Sequence, residues 1–136
     1  MLINLKRGEK LYVNGAVLKV DRRTSIEFLN DVSFLLENHV MQAEDASTPC
    51  RQLYFVVQTM LMDPANAGLT AELYKHLSGR LRGNDEDGHL IEVLDVADKK
   101  VLGGRYFDAL KQLRLSFAIE ESKAGFANNS GERTVS

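Results

Sequence analysis

The chain is predicted to be an α+β protein: N-terminal antiparallel β-hairpins in a small sheet, followed by a C-terminal bundle of about four helices. Two observations predict it. Up to residue 37, short runs rich in Val, Ile, Leu and aromatics alternate with turn residues, as strands joined by hairpins do. From residue 49 onward, apolar residues recur every three or four positions, the period of a helix with one buried face.

The strand runs are LINLK (2–6), KLYVN (10–14), AVLKV (16–20), TSIEFL (24–29) and VSFLLE (32–37), separated at Gly8-Glu9, Asn14-Gly15, Asp21-Arg22-Arg23 and Asn30-Asp31. Asn14-Gly15 is the strongest turn signal, because a type I′ turn needs positive φ at both central residues. The first helix opens at Thr48-Pro49, a capping hydroxyl followed by proline at the first helical position, and stops at Asp63-Pro64. Leu53, Val57, Met60 and Leu61 mark its buried side. A second helix repeats Leu69, Leu73, Leu77 and Leu81. A third sets Leu90, Leu94, Ala97 and Val101 on one stripe, with Lys99 and Lys100 near its C-terminal dipole and Gly103-Gly104 after them. The fourth carries Phe107, Leu110, Leu113 and Phe117. The organisation expected is one compact domain with a basic β-rich part (1–45), a helical part (46–121) and a small polar tail (122–136) that lacks fixed structure.

Charge is unevenly placed. The chain has 17 Lys and Arg against 19 Asp and Glu, a net charge of −2. Residues 6–23 hold Lys6, Arg7, Lys10, Lys19, Arg22 and Arg23 against only Glu9 and Asp21, a local excess of +4. A two-residue loop at Asn14-Gly15 pairs Val13 with Ala16, Tyr12 with Val17, Leu11 with Leu18 and Lys10 with Lys19. One face is then Leu11, Val13, Ala16 and Leu18, a core face; the other is Lys10, Tyr12, Val17 and Lys19. Like charges directly opposed are mildly destabilising. Two readings account for them: lysines that blunt an exposed sheet edge against aggregation, or cations and an aromatic platform for single-stranded RNA.

Several chemistries find no support. The longest unbroken apolar run, Leu53–Val57, is far too short for a membrane span, and the N-terminus lacks the apolar core of a secretory signal. A single cysteine, Cys50, suits a reducing cytoplasm. His39, His76 and His89 are too dispersed to suggest a metal site. Gly83 and Gly88 stand five apart as in a P-loop, but His89-Leu90 follows where Lys and Ser/Thr are needed, and the intervening NDED would repel phosphate. That acidic run reads as a solvated loop leading into a helix. No nucleophile elbow, zinc-protease or dinucleotide fingerprint occurs. Neither an enzyme nor a cofactor is expected.

Two segments, FLLENHVMQAEDASTPCRQLYF (34–55) and VNGAVLKVDRR (13–23), give the chain a marked likeness: residues 3–64 closely resemble the bacterial flagellum biosynthesis repressor FlbT family. The opening is also similar in layout to carbon-storage regulator proteins, though only as far as Val20. The FlbT resemblance implies a cytoplasmic post-transcriptional regulator that associates with the 5′ untranslated region of flagellin mRNA, represses translation and promotes decay. It also implies a link to a small partner, FlaF, and supplies no residue set to transfer.

Two functional expectations follow. In the first, Lys6, Arg7, Lys10, Lys19, Arg22 and Arg23 contact the phosphates of a flagellin mRNA leader and Tyr12 stacks on a base. In the second, the chain is an adaptor or chaperone-like regulator of flagellum assembly, acting through FlaF or flagellin on its amphipathic helices without touching RNA. Short open strands also suggest a homo-oligomer.

Overall fold

The structure, a computed structural model, describes residues 2–132, and side chains as far as Lys123. Five strands precede four helices: β1 (Leu2–Leu5), β2 (Lys10–Val13), β3 (Ala16–Lys19), β4 (Thr24–Glu27), β5 (Phe34–Leu36), α1 (Pro49–Met62), α2 (Ala67–Gly83), α3 (His89–Leu102) and α4 (Tyr106–Glu132). The expected α+β arrangement is present.

The first four strands are the two arms of one long antiparallel ribbon. Leu2 faces Glu27 and Leu5 faces Thr24 in the β1–β4 ladder, and Lys10 faces Lys19 and Val13 faces Ala16 in the β2–β3 ladder. The register is the same in both, with residues 6–9 and 20–23 lying between the ladders. At its far end Asn14 (φ 48°) and Gly15 (φ 84°) form the tight turn. There the chain also passes close to Pro64, whose Cδ would lie 3.2 Å from any Cβ added at Gly15. Strand β5 pairs with β2, making a three-stranded sheet in the order β3-β2-β5.

That sheet is covered on both sides of β2, not on one. Leu11 and Val13 pack with Ile3, Leu5 and Phe34 in a small core between the two halves of the ribbon. Tyr12 and Leu35 join the opposite, larger core among the helices. The expected core face is buried only over its β2 half: in edge strand β3, Leu18 is 48% exposed, and on the other face Val17 is 62% exposed.

Each helix begins and ends as its sequence dictates, with one departure in which face is buried. Thr48 Oγ1 accepts the Arg51 amide at 3.3 Å, capping α1. At the end of α3, Arg105 N–H reaches Lys100 O at 2.8 Å and Gly104 N–H reaches Val101 O at 3.0 Å, a Schellman closure with Gly104 at φ 72°. The expected stripes of α1, α3 and α4 are buried or half-buried. In α2 the buried residues are Tyr74, Ser78 and Leu81, while Leu69 is 79% exposed. A spacing of four overshoots the 3.6-residue turn by ~40° each step, so the four leucines cannot share one face, and of them Leu81 is the one buried.

Two further expectations are corrected. The acidic loop is not simply solvated: the Asp85 side chain is fully buried, accepting the Ile91 amide at 2.9 Å and the Lys123 ammonium at 2.6 Å. The tail expected from Ser122 is helical as far as Glu132, and residues 133–136 lie outside the described residues. Helix α4 packs against α1 and α3. Near its start Phe107 stacks on Phe34 at 4.4 Å and joins both cores.

Candidate nucleic-acid interface

The bend in the ribbon gathers the cations. Residues 6–9 form a turn in which Glu9 N–H donates to Lys6 O at 3.0 Å, with Gly8 at φ 78° in the third position. Positive φ there is a type II requirement, which glycine meets without strain. Arg7 therefore sits at the tip of the turn. Val20 holds the facing strand in place, its O accepting Gly8 N–H at 2.8 Å and its N–H donating to Glu9 O at 3.3 Å. Arg22 and Arg23 follow in the second bend, and the Lys10–Lys19 pair stands at the edge of both. All six cations predicted from the sequence are exposed and occur within or beside this bend.

Two nearby carboxylates, Glu9 and Glu37, are turned to the backbone. Glu9 Oε1 accepts the Lys6 amide and Glu37 Oε2 the Lys10 amide, both at 2.9 Å. Among the described residues, Arg22 alone of the six has a carboxylate within ion-pair distance, Asp21 at 3.4 Å, and both side chains are more than 80% exposed. Such a pair contributes little. The positive character belongs to the bend alone: residues 1–45 as a whole hold six cations and seven carboxylates, so the β-rich part is not basic throughout.

Tyr12 does not join the cations on the surface. Its ring is half-buried against the helical core. Planar groups gather elsewhere, in a groove that the sequence did not reveal. It has a volume of about 790 Å³ and is walled by residues 38–48, the start of α1 and the middle of α4. The Arg51 guanidinium lies 4.6 Å from the Phe117 ring centre, and that of Arg114 lies 5.6 Å from the Tyr54 ring centre. Arg114 also donates to Tyr54 Oη at 3.0 Å, and Tyr54 in turn donates to His39 O at 3.2 Å. Burial, assisted by the charge of Arg114, holds the His39 imidazole below its ordinary value, which favours its neutral form. The 34–55 segment was legible as a signature, but its meeting with Arg114 and Phe117 depends on how α4 packs.

Other polar clusters are structural. Tyr74 donates to Asp98 at 2.5 Å, and Arg82 bridges Asp98 and Asp95 at 2.6 and 2.8 Å, clasping α2 to α3. Burial pushes the Cys50 thiol up to about 12, so it is held as an unreactive thiol. Among the described residues no group of three or more His, Cys, Asp or Glu could hold a metal ion, and no helix is long and apolar enough to cross a membrane.

The fold and the bend define a small α+β protein in which a β-ribbon with a cationic bend packs on helices α1–α4. A family model described as "Flagellar protein FlbT" matches residues 1–123. A relative from Chelativorans sp. (strain BNC1), named "Probable flagellum biosynthesis repressor protein FlbT", is 51% identical over 119 residues, covering 88% of this chain and 82% of its own. One from Bradyrhizobium diazoefficiens, "Probable flagellum biosynthesis repressor protein FlbT 2", is 46% identical over 122 residues, 90% of either chain. No solved structure matches. The chain belongs to the FlbT family, and its relatives' names support a regulatory role in flagellum biosynthesis.

Proposed function

We propose that this chain is a non-catalytic, cytoplasmic regulator that binds the 5′ untranslated region of flagellin mRNA through its ribbon bend and represses flagellin synthesis. One observation supports this most: six exposed cations converge on the bend, while the adjacent Glu9 and Glu37 carboxylates are engaged by backbone amides. Lys6, Arg7, Lys10, Lys19, Arg22 and Arg23 would meet backbone phosphates, which supply affinity and register but no sequence information. Sequence must then be read on unpaired bases.

Titrating a flagellin leader RNA and a scrambled leader against salt tests the proposal. Each phosphate neutralised on a single strand adds ~0.7 to the slope of log affinity on log salt. Lys10→Ala with Lys19→Ala should weaken binding and reduce that slope by ~1.4 while the fold persists. Wild-type affinity and slope in the double variant would sink this surface assignment, leaving the lysines as protection for the open β3 edge.

A second reading, an adaptor acting through a protein partner such as FlaF or flagellin, has its own supporting observation. Leu102, 81% exposed, borders an apolar groove lined also by Met60, Ala67, Ala71, Tyr74 and Tyr106. Partner binding on such a surface should survive high salt, where phosphate contacts fail.

A further inference from the structure

We propose that the groove between α1, α4 and residues 38–48 is a nucleobase pocket, which takes an unpaired base from the RNA strand whose phosphates lie on the bend. This rests on the RNA-binding reading above. The bend segments, 6–9 and 20–23, contain no aromatic residue, and Tyr12 beside them packs into the helical core. Phosphate binding and base stacking are therefore separated on this molecule, and the groove is where planar groups converge.

Its chemistry suits a base and not a phosphate. Arg51 and Arg114 are outnumbered in the lining by Glu44, Asp45 and Glu121, and Glu121 pairs with Arg51 at 2.7 Å. An anion would meet that excess of carboxylate. A neutral heterocycle would find guanidinium planes backed by the Phe117 and Tyr54 rings, a surface on which bases stack. Asn38, Asp45 and Ser47 offer donors and acceptors for its edge.

The pocket wall is held in place before any ligand arrives. Gln58, 3% exposed, grips the Met41 backbone twice, its Oε1 accepting Met41 N–H at 2.7 Å and its Nε2 donating to Met41 O at 2.9 Å. Tyr54 secures His39 in the same wall. The wall also connects to the bend, since Glu37 bonds the Lys10 amide and His39 follows within ~7 Å of chain. The bend and the groove wall thus meet at the Lys10–Glu37 contact.

Binding of an intact flagellin-leader oligonucleotide, compared with the same strand bearing abasic sites, isolates the pocket. The wild-type chain should prefer the intact strand by about 10-fold, the scale of one stacked base. Arg114→Gln and, separately, Phe117→Leu should abolish that preference while leaving abasic-strand affinity and salt slope unchanged. Thermal melts show whether each variant is folded; Arg114→Gln, at a half-buried position, serves if Phe117→Leu is not. A preference that persists in a folded variant, or no preference in the wild type, overturns the pocket alone. No binding of either strand by the wild type at low salt overturns the RNA reading, and the pocket with it.

Discussion

Asp87 shows how one exposed side chain can couple the stability of this protein to pH. Lys123, 3.0 Å away, and then the His89 amide hold its carboxyl down to about 2 from an ordinary 3.8. A depressed carboxylate contributes stability above the unfolded value and loses it as pH falls through the folded one. Its contribution should therefore be intact above 3.8 and fade as pH drops towards 2. Urea titrations of the wild type and Asp87→Asn should diverge in slope within that window, with the variant's stability falling less steeply. Parallel curves would show that the Lys123 contact has no thermodynamic weight. Also at the residue scale, sequence spoke most clearly where backbone geometry left few choices. Asn14-Gly15 predicted its turn and register, because few residue pairs tolerate two consecutive positive φ angles.

At the scale of elements, helix boundaries were legible and buried faces less so. Thr48-Pro49, Asp63-Pro64 and Gly103-Gly104 punctuate locally, and the helices follow them. The leucines of α2 misled because each fits a helix, while only contact with α1 and α3 decides which side is covered. The α2–α3 loop departs from its local pattern for the same reason. NDED resembles a solvated run until α4 brings Lys123 to it. Asp85 then serves two elements at once, capping α3 at Ile91 and anchoring α4. Asp85→Ala leaves the Ile91 amide without its acceptor and removes the buried partner of Lys123. It should cost about 1.5–3 kcal/mol, as for hydrogen bonds to charged groups. Chemical denaturation measures this directly, and a loss below about 0.5 kcal/mol, the range of an ordinary surface change, would contradict the role.

At the scale of the whole molecule, the ribbon and the helical base are joined through aromatic packing. Phe34, 4% exposed, lies between Phe28 at 4.9 Å and Phe107 at 4.4 Å, linking the ribbon core to the start of α4. Arg105, reaching Asp31, reinforces the same seam at the surface. Phe34→Ala should destabilise the protein by about 3–5 kcal/mol, as for other buried aromatics. Loss of one cooperative transition, followed by separate probes on the sheet and the helices, would show that this seam makes them one unit. A small effect, under about 1 kcal/mol, would mean that the two parts hold together by other contacts.

The sequence by itself determined the α+β class, the hairpin and its register, the number of helices and where each begins, the concentration of cations between residues 6 and 23, and the family resemblance. These follow from local stereochemistry, hydrophobic period and charge, which are properties of neighbouring residues. Only the tertiary structure decided that the two ladders form one bent ribbon, that Tyr12 faces the helices, that Asp85 is buried, and that Arg51, Tyr54, Arg114 and Phe117 share a groove. Each depends on residues far apart in the chain, such as Tyr54 and Arg114, and packing brings them together where no local rule records the meeting.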